Sequence, residues 1–339
     1  MKKVIISEKE LAKYTTERDI ASRAKGLLES QKLSWPLLSD NYKQLHHVNT
    51  KEFEFDGFTI KVQNNPQRII STAADVEAKV DSTETSFLHF KNLPDDQKSI
   101  RYYKEYLILC NPYPIFPEHF TIPSIIQKPQ SILEHARDFL YLSRDMQKHY
   151  LVFYNGPKCG ASAPEHLHFQ AGNKNFMPID TEYDSIKNVK AKKFFFNRNL
   201  IFYFCTEYLR NFISIESTSI DELLFGFNLI YTSLQKIYNT YEEPMMNVLL
   251  YYSEGHWRMI IFPRHRHRPT YYFNEGELKI LVSPGAVDLG GVMILPREED
   301  FDKITKDNII DIYRQVCIPK EFIEFTFRKV KDAKAATNT

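Results

Sequence analysis

The chain has 339 residues, with 44 Lys and Arg against 43 Asp and Glu, and 43% of its residues are hydrophobic. This length and composition supply either one large hydrophobic core or two medium ones. The formal net charge of +1 excludes a field over the whole molecule that attracts nucleic acid or anionic membrane, so an anionic ligand needs a local group of cations.

Cysteine usage and hydropathy narrow the class of protein. The four cysteines are far apart, which excludes the Cys-x-x-Cys pairs of zinc ribbons and thioredoxins. No stretch approaches the roughly 18 apolar residues of a membrane span, and the start lacks the apolar run of a signal peptide. We therefore expect a soluble, reduced, cytoplasmic protein without a membrane partner.

The first part of the chain reads as helices followed by a hairpin. Residues 1–50 are polar and weakly patterned, which favours a helical segment. Apolar residues then alternate over 52–62 on each side of Asp56-Gly57, a pair typical of a two-residue hairpin turn. After a turn at 64–68, Ile69-Ile70 predicts a further short strand.

The middle of the chain alternates buried strands with a helix. The apolar run 106–110, which ends at Asn111-Pro112, predicts a buried strand. An amphipathic pattern over 129–147 predicts a helix. A strand at 150–155, a loop at 156–165 and a strand at 166–171 follow.

A similar order of elements returns in the last part. A capping box formed by Ser219 and Glu222 begins a long helix that reaches about Tyr241. We expect strands at 247–252, 258–262 and 292–295, a helix at 305–316 and a flexible tail at 333–339.

The repeated order indicates the fold class. Two strands, a long helix and two strands occur twice, and the short loops between neighbouring strands favour antiparallel pairing. An α+β fold is therefore favoured over a doubly wound parallel sheet. We predict a degenerate structural duplication with halves at 51–210 and 211–332 that pack as one unit.

The most informative motif is His166-Leu167-His168-Phe169-Gln170. On a strand, a period of two places the three polar side chains on one face and the two apolar ones in the core. Two imidazoles and an amide then converge on a ligand. The alternative is a pair of ordinary histidines whose hydrogen bonds are satisfied by the protein.

The loop before this motif has the composition of a phosphate cradle. Gly160 and its small neighbours let backbone amides approach a phosphate closely. Lys158 and Ser162 add further donors. A cradle of this kind that leads into a paired-histidine strand indicates a nucleotide site.

The segment 154–170 resembles the histidine-triad superfamily, in the branch of galactose-1-phosphate uridylyltransferase and diadenosine tetraphosphate phosphorylase. The likeness is greatest to GDP-hexose phosphorylases of the GDP-L-galactose type, which share the His-Leu-His-Phe-Gln motif. It extends more weakly to 111–119, 283–291 and 297–301. The resemblance implies two tandem histidine-triad-like halves, each a mainly antiparallel sheet with packed helices, of which only the first keeps the motif.

The resemblance also implies a ping-pong reaction. His168 attacks the α-phosphorus, and a phosphate or sugar phosphate then accepts the nucleotide from the nucleotidyl-histidine. His166 orients or binds nearby, and Gln170 bonds a phosphate oxygen. In this superfamily hydrolases carry histidine at the last position, whereas transferases carry glutamine. A neutral amide is neither acid nor base, so the intermediate waits for its second substrate.

Three further positions are compared with the family. Asn155 stands where the family has an asparagine, and it either accepts from the nucleophile or donates to phosphate. Ser162 lies four residues before His166, whereas the family's phosphate-binding hydroxyl lies three before. His119 and His166 resemble two zinc ligands of the uridylyltransferases, but the cysteine pair is absent, so we expect no structural zinc. His119 equally suits a role in capping a loop.

Basic residues outside the motif leave more than one interpretation. Arg68 either reaches a phosphate or is a solvated turn residue. In the cluster 264–268, Arg264 could clamp phosphates from the second half through bidentate contacts. A solvated loop, a weak nucleic-acid contact and a metal role for His265 and His267 are the alternatives. Asp288 either holds a sugar hydroxyl or forms a turn.

We expect an enzyme that carries out phosphorolysis or transfer on a nucleoside-diphosphate sugar. The second hypothesis is phosphorolysis of a dinucleoside polyphosphate such as diadenosine tetraphosphate. A non-catalytic nucleotide sensor or scaffold is a third, and RNA binding through the basic cluster would show strong salt dependence. No cofactor is required, although Mg²⁺ could accompany the nucleotide, and the resemblance allows a homodimer.

Overall fold

A long antiparallel sheet runs through the protein in a computed structural model that describes residues 3–73 and 85–337. The strands are β1 Thr50–Phe55, β2 Phe58–Asn64, β3 Ser99–Tyr102, β4 Tyr106–Cys110, β5 His119–Pro123, β6 Tyr150–Asn155, β7 His168–Asn173, β8 Ala191–Phe195, β9 Leu200–Cys205, β10 Phe212–Ser217, β11 Met246–Ser253, β12 His256–Pro263 and β13 Val292–Leu295.

Helices cover both faces of this sheet. They are α1 Glu8–Leu11, α2 Ile20–Ser34, α3 Pro36–Leu45, α4 Ile69–Ala73, α5 Ala136–Asp145, α6 Pro178–Lys190, α7 Ile220–Tyr238, α8 Thr270–Phe273, α9 Ala286–Leu289, α10 Glu298–Lys303, α11 Lys306–Val316 and α12 Lys320–Thr337. Across the described part of the chain, no helix has the length and apolar character needed to cross a membrane.

The strand order shows the duplication directly. The long sheet runs β3-β4-β5-β7-β6-β11-β12-β10-β9-β8, and every neighbouring pair is antiparallel. The first five strands enclose α5 in sequence, and the last five enclose α7 in the same way. The two halves meet where β6 pairs with β11, with Asn155 opposite Asn247. The α+β class and the duplicated architecture predicted from the sequence are confirmed.

Each face of the sheet has its own hydrophobic core. One core includes Phe139 of α5, Phe227 of α7 and Phe169 of β7. The other lies beneath α6 and α11 and receives Phe153 of β6. Because strand side chains alternate, Leu167 and Phe169 enter the first core, and His168 and Gln170 face the opposite side of the sheet.

A second sheet joins two segments that are far apart in the sequence. The hairpin predicted around Asp56-Gly57 forms, and Gly57 has the positive φ of 77° that its turn requires. Its second strand, β2, pairs in parallel with β13 from the far end of the sequence. The resulting three-stranded sheet, β1-β2-β13, covers the face that carries the histidine motif.

Several element predictions are wrong. Ile69-Ile70 begin α4 instead of a strand, because Pro66 opens a 3-10 turn that continues into the helix. Residues 333–337 belong to α12 instead of a flexible tail, and α12 packs Ile323 and Val330 into the first core at helical spacing. The long helix α7 ends at Tyr238, because Asn239 adopts a left-handed conformation with φ of 49°.

The boundary between the halves also differs from the predicted position at residue 210. β8 and β9 precede that residue, yet they pair with each other and with β10. They therefore belong to the second half, which begins after α6. The sequence interpretation had also passed over β8 and β9 as strands.

Candidate active site

A cavity of about 490 Å³ opens where the two halves meet, on the sheet face that carries His168. The first half contributes Asn155, Gly160, Ser162, His168 and Gln170 to its wall. The second half contributes His267, Arg268, Ser283, Gly285 and Asp288. This volume is within the range of small-molecule sites in proteins.

His168 is held as a neutral imidazole with one nitrogen open. The side chain is 2% exposed, and Nδ1 lies 2.8 Å from the carbonyl oxygen of His166. Because a carbonyl only accepts, Nδ1 carries the proton and Nε2 keeps its lone pair for the cavity. Burial lowers the pKa of His168 to about 4, so the ring stays neutral at physiological pH.

Gln130, which the sequence interpretation did not single out, fixes the backbone of this histidine. Its Oε1 accepts from the amide nitrogen of His168 at 2.8 Å. Its Nε2 donates to the carbonyl oxygens of Asn155 at 2.9 Å and of His168 at 3.1 Å. One buried side chain thus joins the end of β6 to the start of β7, and no local pattern marks it in the sequence.

His166 does not share the face predicted for it. The residue precedes β7, is fully buried, and directs Nε2 to the carbonyl oxygen of Ser124 at 2.7 Å. Its imidazole does not line the cavity. The predicted catalytic role of this imidazole is therefore not supported, and His166 acts on the site through its backbone carbonyl.

Gln170 and Thr121 stand opposite each other on β7 and β5, and both line the cavity. The side-chain oxygen of Gln170 lies 3.0 Å from Nε2 of His119. His119 is fully buried and packs beside Phe116 and Phe153. The structure thus brings Gln170 to the cavity with His168, as the motif predicts.

Asn155 is oriented by a chain of hydrogen bonds from the second half. Arg264 donates to Oδ1 of Asn247 at 2.7 Å, so Nδ2 of Asn247 is the donor towards Oδ1 of Asn155, also at 2.7 Å. The backbone nitrogen of Ala286 donates to the same Asn155 oxygen at 2.8 Å. With its oxygen occupied twice, Asn155 offers Nδ2 to the cavity, which favours donation to a phosphate over acceptance from the nucleophile.

The prediction that Arg264 clamps a phosphate is wrong. Its guanidinium is fully buried and does not line the cavity. Besides Asn247, it donates to the carbonyl oxygens of Pro284 at 2.7 Å, Val316 at 3.1 Å, Arg266 at 3.1 Å and His267 at 2.9 Å. Three distant segments, at Asn247, Pro284 and Val316, and two carbonyls of its own loop therefore occupy the donors that a phosphate would need.

The glycine loop of the first half meets a second loop at the cavity. Gly160 has a φ of 89°, and a Cβ on it would lie 3.0 Å from Cα of Gly285. Ser162 is exposed and lines the cavity. Lys158 does not, because its side chain is 67% exposed and lies 3.9 Å from Glu242, so its predicted role as a phosphate donor is not supported.

Two arginines reach the cavity. Arg68 donates to the carbonyl oxygen of Tyr113 at 3.0 Å, and burial lowers its pKa to about 10, which leaves it charged at neutral pH. Arg268 donates to Oγ of Ser283 at 3.1 Å and lies 4.0 Å from the ring centroid of Tyr272. The basic cluster therefore contributes Arg268, where the sequence interpretation had chosen Arg264.

Asp288 supports the loop beside these arginines. Its two oxygens accept from the backbone nitrogens of Gly285 at 2.8 Å and Ile294 at 2.9 Å. Burial raises its pKa to about 6, against the lowering effect of those bonds. These contacts agree with the interpretation of Asp288 as a turn-forming residue.

An apolar wall completes the cavity and was missed from the sequence. Its residues come from the N-terminal helices, the segment before β3 and strand β4, and they include Trp35, Leu37, Phe87, Leu93 and Leu109. Phe87 is 56% exposed, which suits a flat apolar group such as a nucleobase. These residues follow no periodic pattern that separates them from ordinary core positions.

Metal ligands are not gathered at this site. Within residues 3–73 and 85–337, no group of three or more His, Cys, Asp or Glu side chains is placed to hold a metal ion. His119 contacts Gln170, while His166 contacts Ser124, so the two predicted counterparts of zinc ligands face different partners.

Comparisons with known proteins agree with this architecture. Residues 27–173 match a family described as a domain of unknown function, DUF4922, and residues 186–335 match one described as GDPGP1-like, C-terminal domain. The second match agrees with the resemblance to GDP-hexose phosphorylases that the sequence shows. No curated protein matches it significantly.

Solved structures share the fold of this protein. Yeast Ap4A phosphorylase Apa2 in complex with Ap4A has a TM-score of 0.57 at 17% identity, over 87% of this chain and 97% of that chain. The complex of the same enzyme with AMP has a TM-score of 0.55 at 18% identity, over 86% and 97% of the two chains. At this identity the likeness concerns the fold.

Proposed function

We propose that the protein is a phosphorylase that transfers the nucleotidyl group of a nucleoside-diphosphate sugar to phosphate through His168. One observation carries the proposal. The neutral His168 directs Nε2 into a cavity whose wall offers the amide of Asn155 and two arginines. A nucleophile beside cationic and donor groups suits attack on an anionic phosphorus.

The proposed reaction has two displacements. Nε2 of His168 forms a bond to the α-phosphorus, and the bond from that phosphorus to the bridging oxygen breaks, which releases the sugar 1-phosphate. A phosphate oxygen then attacks the same phosphorus, the P–N bond breaks, and nucleoside diphosphate leaves. The imidazole is cationic in the intermediate, so the Nδ1 bond to the carbonyl of His166 strengthens there.

The wall residues have distinct parts in this proposal. Nδ2 of Asn155 donates to a phosphate oxygen, and Ser162 with the backbone beside Gly160 adds donors from the loop. Arg68 and Arg268 balance the phosphate charge, so no cofactor is required. Mg²⁺ could still enter with the nucleotide.

A dinucleoside polyphosphate is the second candidate substrate. The fold shared with yeast Ap4A phosphorylase favours it. Both candidates use the same nucleophile and differ only in the leaving group. A panel of GDP-glucose, ADP-glucose, UDP-glucose and diadenosine tetraphosphate, each with phosphate, separates them by the rate of nucleoside diphosphate release.

Intact mass tests the covalent step. After brief exposure to its substrate without phosphate, the parent protein should gain one nucleoside monophosphate, and His168→Asn should gain none. A protein that binds nucleotide but gains no adduct with any substrate would be a sensor or scaffold. Turnover by His168→Asn at the rate of the parent would show that the nucleophile is misassigned.

A further inference from the structure

The orientation of the Gln170 amide follows from the residues behind it. The backbone nitrogen of Ile115 lies 3.2 Å from Nδ1 of His119 and can only donate. Nδ1 is therefore the acceptor, and the ring proton is on Nε2. That nitrogen lies 3.0 Å from Oε1 of Gln170 and donates to it. The amide oxygen of Gln170 is thus occupied, and its NH₂ group is left for the cavity.

The surroundings of His119 keep this arrangement in one state. The ring is fully buried between Phe116 and Phe153, and burial together with the charge of Arg68 lowers its pKa to about 3. A protonated ring would place an N–H against the N–H of Ile115. His119 therefore stays a neutral donor to Gln170 throughout the physiological pH range.

His119 has no direct access to a ligand, since it does not line the cavity whereas Gln170 does. Any effect of the imidazole on a bound phosphate must then pass through the amide of Gln170. If the side-chain amide of Gln170 rotated by 180°, its oxygen would face the phosphate oxygens and repel them. A glutamine alone is free to adopt either orientation, so its usefulness as a donor depends on its neighbour.

We propose that His119 is a positioning residue, which holds the amide of Gln170 with NH₂ towards a phosphate of the substrate. The inference rests on the proposed function for the identity of the ligand as a phosphate compound. It assigns His119 a task in the site that is different from binding metal and from capping a loop.

Two substitutions separate the two hydrogen bonds of the ring. In His119→Asn, the short amide can still accept from Ile115 but does not reach Gln170. In His119→Gln, the longer amide can donate to Gln170 but gives up the bond to Ile115. Tyr42→Phe is a matched control, because the Tyr42 hydroxyl bonds the backbone nitrogen and oxygen of His119 at 3.2 Å and leaves its ring alone.

Calorimetric binding of pyrophosphate by the full chain is the first measurement, since it needs no turnover. We expect His119→Asn to weaken binding about tenfold, the usual effect of one hydrogen bond to a charged group. His119→Gln and Tyr42→Phe should stay within about threefold of the parent. Equal losses in His119→Asn and His119→Gln would overturn the proposal in favour of a purely structural role.

A double-mutant cycle with Gln170→Ala tests the route of the effect. If His119 acts through Gln170, His119→Asn adds nothing measurable once Gln170 is removed. Additive losses would overturn the proposal, and so would a parent protein that does not bind pyrophosphate. A parent that binds pyrophosphate with this coupling but forms no nucleotidyl adduct would refute the proposed function and leave the role of His119 standing.

Discussion

The two halves of the protein share a scaffold but connect their central strands differently. In the first half, the loop 156–167 joins β6 to β7 and brings Gly160 and Ser162 to the cavity. In the second half, β11 and β12 are joined by Glu254 and Gly255, whose φ values of 52° and 81° make a tight hairpin turn. Between these two strands the second half therefore has no loop comparable to 156–167.

The equivalent strands β7 and β12 also present different side chains on the cavity side of the sheet. β7 presents His168 and Gln170 to the cavity, whereas Ile260 and Phe262 of β12 face the apolar core on that side of the sheet. The second half instead supports the site of the first half, through Arg264, Asn247 and the loop at Ser283. One copy of the scaffold carries His168 and Gln170, and the other orients Asn155 beside them.

The largest expected effect comes from removing the buried guanidinium of Arg264. Arg264→Met leaves four carbonyl oxygens and the amide oxygen of Asn247 without their buried donor. Because each unsatisfied buried acceptor costs about 1–3 kcal/mol, we expect a loss of at least about 3 kcal/mol in the free energy of unfolding. Urea unfolding measures it.

Arg266→Met is the matched control, since Arg266 is exposed on the same loop. Its free energy of unfolding should change by less than about 0.5 kcal/mol. A comparable loss in the two variants would mean that the basic loop, and not the buried guanidinium, supports the second half.

A smaller effect is expected from reversing the hydrogen bond between Asn247 and Asn155. In Asn247→Asp, the carboxylate still pairs with Arg264, but it presents an oxygen to Oδ1 of Asn155 in place of a donor. Asn155 then turns its own NH₂ away from the cavity. We expect the rate of adduct formation at His168 to fall about tenfold to a hundredfold, with the folded state retained.

Single-turnover mass spectrometry measures this rate. Asn211→Asp is its control, because Asn211 bonds the carbonyl of Ile318 at 3.1 Å and does not line the cavity. An unchanged rate in Asn247→Asp would show that the second half does not orient Asn155.

Arg268 tests whether the second half also touches the substrate. Arg268→Gln removes a charge from the cavity wall, and the shorter side chain can still reach Ser283. We expect KM for the nucleotide substrate to rise about fivefold to tenfold with a small change in kcat. Arg266→Gln should leave both values alone, and an equal change in it would indicate long-range charge instead of contact.

The sequence predicts those parts of this architecture that depend on local patterns. The turn at Asp56-Gly57, the cap of α7 at Ser219 and the buried strand β4 all follow from neighbouring residues. β8 was missed because it is an edge strand whose Lys192 and Lys193 break the alternation.

The sequence likewise predicts only those residues of the site that follow a local pattern. The strand pattern identified His168 and Gln170, since residues two apart share a face. The place of Arg264 could not be predicted, because its partners Asn247, Pro284 and Val316 come from three separate segments. A basic residue in a loop looks the same in the sequence whether it faces a cavity or is enclosed by carbonyl groups.

The smallest expected effect is the pH response of His168. Because burial lowers the pKa of His168 to about 4, the ring keeps its lone pair as pH falls through 6.5, where an exposed histidine is half protonated. Adduct formation should therefore lose its His168 contribution only as pH approaches 4. Single-turnover rates between pH 4 and 8 measure the profile.

Asp288 is the group that could obscure this result, since its pKa is raised to about 6 by burial and it lines the same cavity. A decline near pH 6 that disappears in Asp288→Asn belongs to the loop of the second half. A decline near pH 6.5 that persists in Asp288→Asn would contradict the enclosed, neutral state of His168, and the first half would then lack the buried imidazole that its degenerate copy does not have.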